Sequence, residues 1–432
     1  MLGSEGVAVV VDPQRDVSLY IDEAARQGVK IGHIIETHLH ADFVSGHREL
    51  AERTGGTIYL GARAGATFPH VDVRDGDEIR FGRAVLRFLE TPGHTIESVS
   101  VAVTDLDRGE TPYAVLTGDT LFIGDVGRPD LAPDLTPQQL AGMLFDSLHQ
   151  KLLPLGDDVE VYPAHGAGSL CGRQMRPERQ STIGKERTLN YALRPQSKEE
   201  FVRLLTAELP ERPGYFAQDA ELNRSGAPSL SEMRPLPELT AIPDGAIVLD
   251  TRPSQQFFAG HIPGAVHIAL GGQYASFAAT ILGLDKEIVL VAEDEEHLEE
   301  SRMRLARVGI ERVIGSLKGG MQQWTGPAAE IHQISVEDLR REIADVQIVD
   351  VRREGEYAAG HIEGAMLMPL HKLESMTVTL DHDRPIAVHC KGGYRSAIAC
   401  SLIQRAGFDN VANVMGGFDA WLACGFPEAA VR

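Results

Sequence analysis

Residues 37–43 read THLHADF. This nearly spells H-x-H-x-D-H, a metal-site pattern found in many hydrolases. His38, His40 and Asp42 are in place, and Phe43 stands where the last His would be. A benzyl side chain has no lone pair to offer a metal. Further along, TPGHT carries His94, LTGDT carries Asp119 and YPAH carries His165. His38, His94 and Asp119 can supply two imidazoles and one carboxylate, the donor set of a non-haem Fe(II) facial triad with positions left open for substrate, oxygen or water. A two-metal hydrolase must fill a second site, typically with Asp42, a His at position 43 and His165. Phe43 removes one of those donors and leaves Asp42 and His165 a weak pair. His40 and Asp42 then become candidates for orienting the ligands or binding metal-held water. A lone His near a strand end is more often a satisfied structural residue, but a set of five polar residues at strand ends is poorly explained that way.

A second reactive pattern lies near the C-terminus. PIAVHCKGGYRSAIACSLIQRAGF reads as a buried strand, a Gly-rich turn and a helix opening near Ser396, with Cys390 at the strand end. The loop Lys391, Gly392, Gly393, Tyr394 and Ser396 can turn main-chain N–H groups toward the sulfur. Those groups, the positive helix end and Arg395 all favour a thiolate or a persulfide anion. Cys390 and Arg395 are separated by KGGY, a spacing shorter by one residue than in a related phosphatase family, which suits a single sulfur atom better than a tetrahedral phosphate. Cys171 lies in the Gly-rich HGAGSLCGRQM, six residues after His165. It is a candidate for contacting or accepting sulfur at a thiol-binding mouth, against the competing reading of a buried inert thiol. Cys400 and Cys424 read as small unreactive thiols. Four scattered cysteines make no disulfide framework in a chain of 432 residues.

The elements that must position these residues are strand-length apolar runs. In the first part of the chain these are VAVVVDP, IGHIIETH, AVLRFLETPGH, YAVLTGD and VEVYPAH. Four of the five deliver a His or Asp at or just beyond the C-terminal end, as expected of strands converging on one site in a layered α/β fold. QSKEEFVRLLTAEL has helical spacing ended by Pro210 and Pro213, and NRSGAPSLSEMRPLPEL reads as a linker. The C-terminal half holds a repeat of about 100 residues, in which Asp250 matches Asp350, Arg252 matches Arg352, His261 matches His361 and Trp324 matches Trp421. Counting back from the Trp pair places Glu293 opposite Cys390 and Leu298 opposite Arg395. Neither can carry sulfur, so the first copy is expected to be catalytically silent.

The formal net charge of -21 excludes a phosphate backbone or anionic membrane as partner, since both demand a cationic surface. The chain has no apolar run of membrane-spanning length and no charged-then-apolar leader pattern, so it reads as cytoplasmic.

THLHADF, TPGHT, TGDTLF, GRPD and YPAH, in this order, resemble the metallo-β-lactamase fold and more narrowly the persulfide dioxygenases, also called sulfur dioxygenases. CKGGYRS, DVR, GHIEGA and GGFDAW resemble the rhodanese sulfurtransferases. The resemblance covers nearly the whole chain, because some bacterial members of the dioxygenase family are fused to rhodanese domains. It implies an α/β protein with three parts: a metallo-β-lactamase αββα sandwich over residues 1–228, a silent rhodanese-like domain over 229–330 and an active rhodanese domain over 331–432, the last two with parallel sheets. It implies one Fe(II) in the first domain, held by His38, His94 and Asp119, and places Arg128 near the active-site rim. It implies a low-molecular-weight thiol persulfide of glutathione or coenzyme A type and O2 as substrates, and sulfite and free thiol as products. Cys390 would carry the transferred sulfur as Cys-S-SH, with sulfite or thiosulfate as exchange partners. The family has an extra strand before LGSEG, whereas this chain starts almost inside it. A thioester hydrolase of the glyoxalase II type, fused to the same rhodanese, is the alternative reading, and a sulfur carrier or sensor with a vestigial metal domain is a third. The silent domain is a candidate homodimer surface.

Overall fold

The structure is a computed structural model and describes residues 1–195, 197–230 and 235–430. Gln196, residues 231–234 of the expected linker and the last two residues lie outside the described residues. The chain forms two compact units, Met1–Met233 with Ala306–Gly309, and Arg234–Leu305 with Ile310–Arg432.

The first unit contains two sheets. One has the order β1 (Leu2–Ser4), β2 (Val7–Val11), β3 (Lys30–Ile35), β4 (Thr57–Gly61) and β5 (Val71–Val73), parallel except for β1 on β2. The other runs β11 (Ser181–Thr182), β10 (Glu160–Pro163), β9 (Ala114–Gly118), β8 (Val99–Asp105), β7 (Ala84–Glu90), β6 (Glu78–Phe81), antiparallel except for β9 with β10.

Side chains alternate across each strand, and that alternation builds the layers. Val9 and Ile35 from one sheet meet Leu86, Phe88, Val101 and Val103 from the other in an inner core. Their neighbours Ala8, Val10 and Ile34 face outward onto α1 (Ser18–Gln27) and α2 (His47–Thr54). Leu89, Ala102 and Val115 face the opposite way, onto α3 (Pro137–Ser147), α4 (Ile183–Leu189) and α5 (Lys198–Thr206). The result is the αββα sandwich. Thr136 opens α3 with a capping box closed by Gln139. The stretch that reads as a linker begins inside a further helix, α6 (Phe216–Ser225), and ends inside strand β12 (Glu238–Leu239).

The second unit holds two five-stranded, all-parallel sheets with matching order. The first is β12, β16 (Val313–Leu317), β15 (Ile288–Val291), β13 (Ile247–Asp250), β14 (Val266–His267). The second is β17 (His332–Ile334), β21 (Val411–Val414), β20 (Ile386–His389), β18 (Gln347–Asp350), β19 (Met366–Leu367). Helices α7 (Ser254–Ala259), α8 (Tyr274–Leu282), α9 (Glu295–Ala306) and α10 (Gly320–Gln323) accompany the first sheet. Helices α11 (Val336–Glu342), α12 (Glu354–Ala359), α13 (Leu373–Met376), α14 (Tyr394–Arg405) and α15 (Gly417–Ala423) accompany the second. The central strands β13, β15, β18 and β20 are buried along their whole length, as parallel strands covered on both faces must be. No helix among the described residues is long and apolar enough to cross a membrane.

Candidate functional site

The metal-type residues of the first unit gather beyond the ends of its strands. His38, His40 and Asp42 lie between β3 and α2, His94 follows β7, Asp119 directly follows β9 and His165 lies just past β10. One donor atom from each of His38, His94 and Asp119 lies within 4.8 Å of the others. His94 Nε2 is 3.2 Å and His38 Nε2 is 3.8 Å from Asp119 Oδ2. All three side chains are buried, and both Nε2 atoms and both carboxylate oxygens lack a hydrogen-bond partner among the described residues. A buried polar group left unsatisfied costs about 1–3 kcal/mol, so such a cluster calls for something that binds it.

The other ring nitrogens are already engaged. Thr37 Oγ1 donates to Asp12 Oδ2 at 2.9 Å, so it can only accept from His38 Nδ1, 2.9 Å away. His94 Nδ1–H donates to the main-chain carbonyl of Arg128 at 3.0 Å. Each ring therefore turns an unprotonated Nε2 toward Asp119, the tautomer a metal ion requires. Burial pushes the pKa of His38 and of His94 down, which keeps both imidazoles neutral. Gly127 permits the close approach: a Cβ there would collide with the Asp119 main-chain oxygen and stand 2.8 Å from His94 Nδ1. The donors fit a divalent metal of the two-imidazole, one-carboxylate kind.

His40 plays a different part. Its Nε2 is 3.1 Å from Asp12 Oδ1 and 3.5 Å from Glu36 Oε2. Burial alone would lower its pKa, but the two carboxylates outweigh burial and raise it to about 9. The Phe43 ring packs on His40 at 4.2 Å between centroids. Asp42 Oδ1 is 3.4 Å from His165 Nε2, which is also 3.4 Å from Asp119 Oδ1. Despite burial, His165 holds the Asp42 carboxyl at about 2. Asp119 and Asp42 in turn raise His165 well above the usual imidazole range against its own burial. Asp42 and His165 keep 15% and 12% of their side-chain surface exposed, whereas the triad is sealed, so they form the solvent edge of the site.

Cys171 is buried, and its donor atom shares a 4.8 Å cluster with those of Asp119 and His165. Burial pushes its thiol up, so it stands beside the site as a neutral S–H. Arg128 departs from the expected rim position. Its guanidinium is buried and spent on Asp130 at 2.7 and 2.9 Å and on the carbonyls of Leu170 and Pro210. Its main chain does the positioning instead, with its carbonyl on His94 and its N–H donating to the Cys171 carbonyl at 3.0 Å.

Several supporting residues were not singled out from the sequence. Asp12, just beyond VAVVV, gives the fifth strand its own His-or-Asp residue and accepts from the Thr37 main-chain N–H at 2.7 Å. Glu97 accepts from Leu39 N–H at 3.0 Å. Asn223 of α6 donates to the carbonyls of His40 and Phe43 at 2.7 and 2.8 Å and accepts from Ser45 N–H at 2.7 Å, which pins the whole motif loop. The strand-end position marked Asp12. Nothing local marked Asn223.

In the second unit Cys390 directly follows β20 and is 2% exposed. The Gly393 N–H donates to Sγ at 3.1 Å from a backbone at φ 113°, a conformation that favours glycine. Ser396 Oγ lies 3.6 Å from Sγ and 2.7 Å from Asn413 Oδ1. A Cβ at Gly392 or Gly393 would meet nothing within 4 Å, so the loop face is open. Lys391 is exposed, and its carbonyl accepts from Asp419 N–H at 3.0 Å. Tyr394 points away to other contacts. Arg395 does not cap the sulfur: its two Nη atoms lie 2.6 and 2.8 Å from the carboxylate of Glu356, on α12. Arg395 and Cys390 remain close enough to interact electrostatically.

Strand pairing also corrects the repeat alignment. Asp250 pairs with Val291 and Asp350 with His389, so the residue opposite Cys390 is Ala292 rather than Glu293. Between strand and helix the first copy has Glu293 and Asp294 where the second has Lys391, Gly392 and Gly393. The second residue of α9, Glu296, then occupies the place of Arg395, rather than Leu298. The turn has lost a residue, its glycines, its nucleophile and its cation.

Comparison with known proteins follows the same division. Residues 1–165 match the Metallo-beta-lactamase superfamily, and residues 237–327 and 335–424 each match the Rhodanese-like domain. A mitochondrial persulfide dioxygenase of Homo sapiens is 31% identical over 199 residues, 46% of this chain and 70% of that protein. A hydroxyacylglutathione hydrolase of Rhodopseudomonas palustris is 31% identical over 201 residues, 46% of this chain and 70% of that protein. A sulfurtransferase of Allochromatium vinosum is 32% identical over 103 residues, 23% of this chain and 96% of that protein. A crystal structure of a metallo-beta-lactamase from Staphylococcus aureus is 31% identical, with a TM-score of 0.65 over 72% of this chain and 91% of that one.

Proposed function

Because the chain belongs to the metallo-beta-lactamase superfamily and carries two rhodanese-like domains, we propose that it is a two-site enzyme of sulfane-sulfur metabolism. The first site would oxidise a low-molecular-weight persulfide: R-S-SH + O2 + H2O gives R-SH + SO3(2-) + 2 H+. The second would pass sulfane sulfur through Cys390. In that step the Cys390 thiolate takes the outer sulfur of R-S-SH and releases R-S-. The resulting Cys390-S-SH gives that sulfur to sulfite, forming thiosulfate, a proton and the thiolate again. The product of the first site is then an acceptor for the second, and both are carried on one chain.

The observation that carries the first half is the sealed His38, His94 and Asp119 set, beside which Phe43 offers no donor for a second ion. Fe(II) held by these three residues would supply open coordination positions and the redox chemistry that O2 requires. The surrounding residues do the rest. Thr37 and the Arg128 carbonyl fix the two rings through Nδ1. Asp42 and His165, at the solvent edge, stand where persulfide and water arrive, and His165 holds a proton at Nε2 between Asp42 and Asp119. The neutral Cys171 thiol lies buried behind this edge, clustered with Asp119 and His165. In the second unit Gly393 N–H and the N-terminus of α14 face the sulfur that Cys390 would carry.

A two-metal thioester hydrolase is the second reading, favoured by the retained Asp42–His165–Asp119 cluster and by the similarity to hydroxyacylglutathione hydrolases. Anaerobic purification with metal analysis separates the two, followed by oxygen uptake on glutathione persulfide and hydrolysis of S-lactoylglutathione. One equivalent of iron with oxygen uptake is expected. Two equivalents of zinc with thioester hydrolysis alone would overturn the proposal.

A further inference from the structure

The silent copy has lost its loop chemistry, yet one of its segments is built against the helix that carries the active loop. Residues 261–271, HIPGAVHIALG, are the repeat counterpart of residues 361–371. They meet one side of α14. The Tyr394 hydroxyl donates to the carbonyls of Ala269 and Gly271, at 2.8 and 3.1 Å. Its ring lies 5.8 Å from Phe277. Further along the helix, Ser401 Oγ accepts from His267 N–H at 3.0 Å, Gln404 Oε1 meets His261 Nε2 at 2.8 Å, and Arg405 donates to the Gly264 carbonyl at 2.7 Å. Burial pushes the Tyr394 hydroxyl up to about 12, so it keeps its proton and stays a donor.

Tyr394 differs from the other three because it lies within CKGGYRS itself, directly after Gly393. The two preceding glycines have open space around them and little backbone stiffness of their own. The direction of the Gly393 N–H on Cys390 Sγ therefore depends on what holds the next residue. We propose that the silent domain is a positioning element for sulfur transfer and that Tyr394 is its latch, tying the first residue of α14 to the Ala269 and Gly271 carbonyls. The proposal rests on reading Cys390 as the sulfur carrier. Misplacement of a reacting group by about 1 Å can cost on the order of 100-fold in rate, so a single lost hydrogen bond at this position has a readable effect.

The test uses the full chain, with glutathione persulfide as donor, sulfite as acceptor and thiosulfate as the product measured. Tyr394→Phe keeps the ring against Phe277 and removes only the hydroxyl. It is expected to lower kcat for thiosulfate formation about tenfold, with KM within about twofold and oxygen uptake unchanged. Ser401→Ala removes a hydrogen bond from the same contact, two turns along the helix, and is expected to leave kcat within about twofold of wild type. Wild-type kcat in Tyr394→Phe overturns the latch. An equal fall in both variants also overturns it, because the contact would then be adhesion between domains alone. If Cys390→Ser forms thiosulfate as fast as wild type, the carrier reading fails and the latch falls with it.

Discussion

Asp12 holds Thr37 through two hydrogen bonds, from the main-chain N–H at 2.7 Å and from Oγ1 at 2.9 Å. The second of these decides the tautomer of His38, because a Thr37 hydroxyl that donates to Asp12 can only accept from the His38 ring. The same carboxylate stands 3.1 Å from His40 Nε2. One acid at the end of β2 thus sets the orientation of a proposed metal ligand and the charge of its neighbour.

Asp12→Ala is accordingly expected to lower metal affinity by about 10–100-fold, the usual effect of removing a group that orients a ligating His. Competition with a chelator measures it. Metal retention equal to wild type would show that His38 needs no help from Thr37 and Asp12.

Phe43 packs on the His40 ring at 4.2 Å and lies 6.3 Å from that of His165. Phe43→His puts an imidazole beside Asp42, His165 and Asp119, the donors still present for a second ion. Metal content is expected to rise from about one equivalent toward two, with new activity on S-lactoylglutathione. If the content of the variant stays at one, the missing donor is not what limits the site to a single ion.

Glu356 is held at about 2 despite its partial burial, chiefly by its hydrogen bonds with Arg395. Its pKa is lower folded than unfolded, so the pair stabilises fully above the ordinary value of 4.5 and the contribution fades as pH falls toward 2. The pair is partly solvent-exposed, so its worth is about 1 kcal/mol or less. Glu356→Gln should melt slightly below wild type near neutral pH and converge with it in acid. Parallel melting temperatures across that range would mean the ion pair adds nothing.

The sequence made the site more legible than its support. Runs such as VAVVV and KIGHII declare themselves as strands, and residues placed just beyond them lie within a few ångströms of each other in the fold. The two-residue strands β11, β12, β14 and β19 have no such signature, because only a neighbouring strand defines them. Asn223 is a helical residue whose partners, His40, Phe43 and Ser45, are some 180 positions away, so no local pattern could announce it. Arg128 illustrates the opposite difficulty. Its place in GDVGRPD was plain, but whether its guanidinium faced substrate or Asp130 depended on a loop that folds back from residue 170. In the repeat, a turn shorter by one residue and a longer connection to Trp324 partly cancel, which hides the shift from Ala292 to Glu293 in any count made from the Trp.

Asp219 on α6 is fully buried, and neither carboxylate oxygen has a partner among the described residues. Burial pushes its pKa up to about 8, the negative charge of Asp42 adds to the rise, and Arg15 opposes it. Near neutral pH the native chain therefore keeps a proton there that the unfolded chain, with an ordinary value of 3.8, has lost. Folding takes up that proton between these two values, so stability must fall as pH rises through the window. A rise of this size corresponds to about 6 kcal/mol at most, since each pKa unit is worth about 1.4 kcal/mol. Asp219→Asn imitates the protonated acid and carries no such penalty. The melting temperature of the variant should match wild type only near pH 3.5, below the window, and exceed it by several degrees near pH 9, with the gap opening between the two. Calorimetric scans across that range check it, and a constant gap would mean that the native protein does not hold the proton on Asp219.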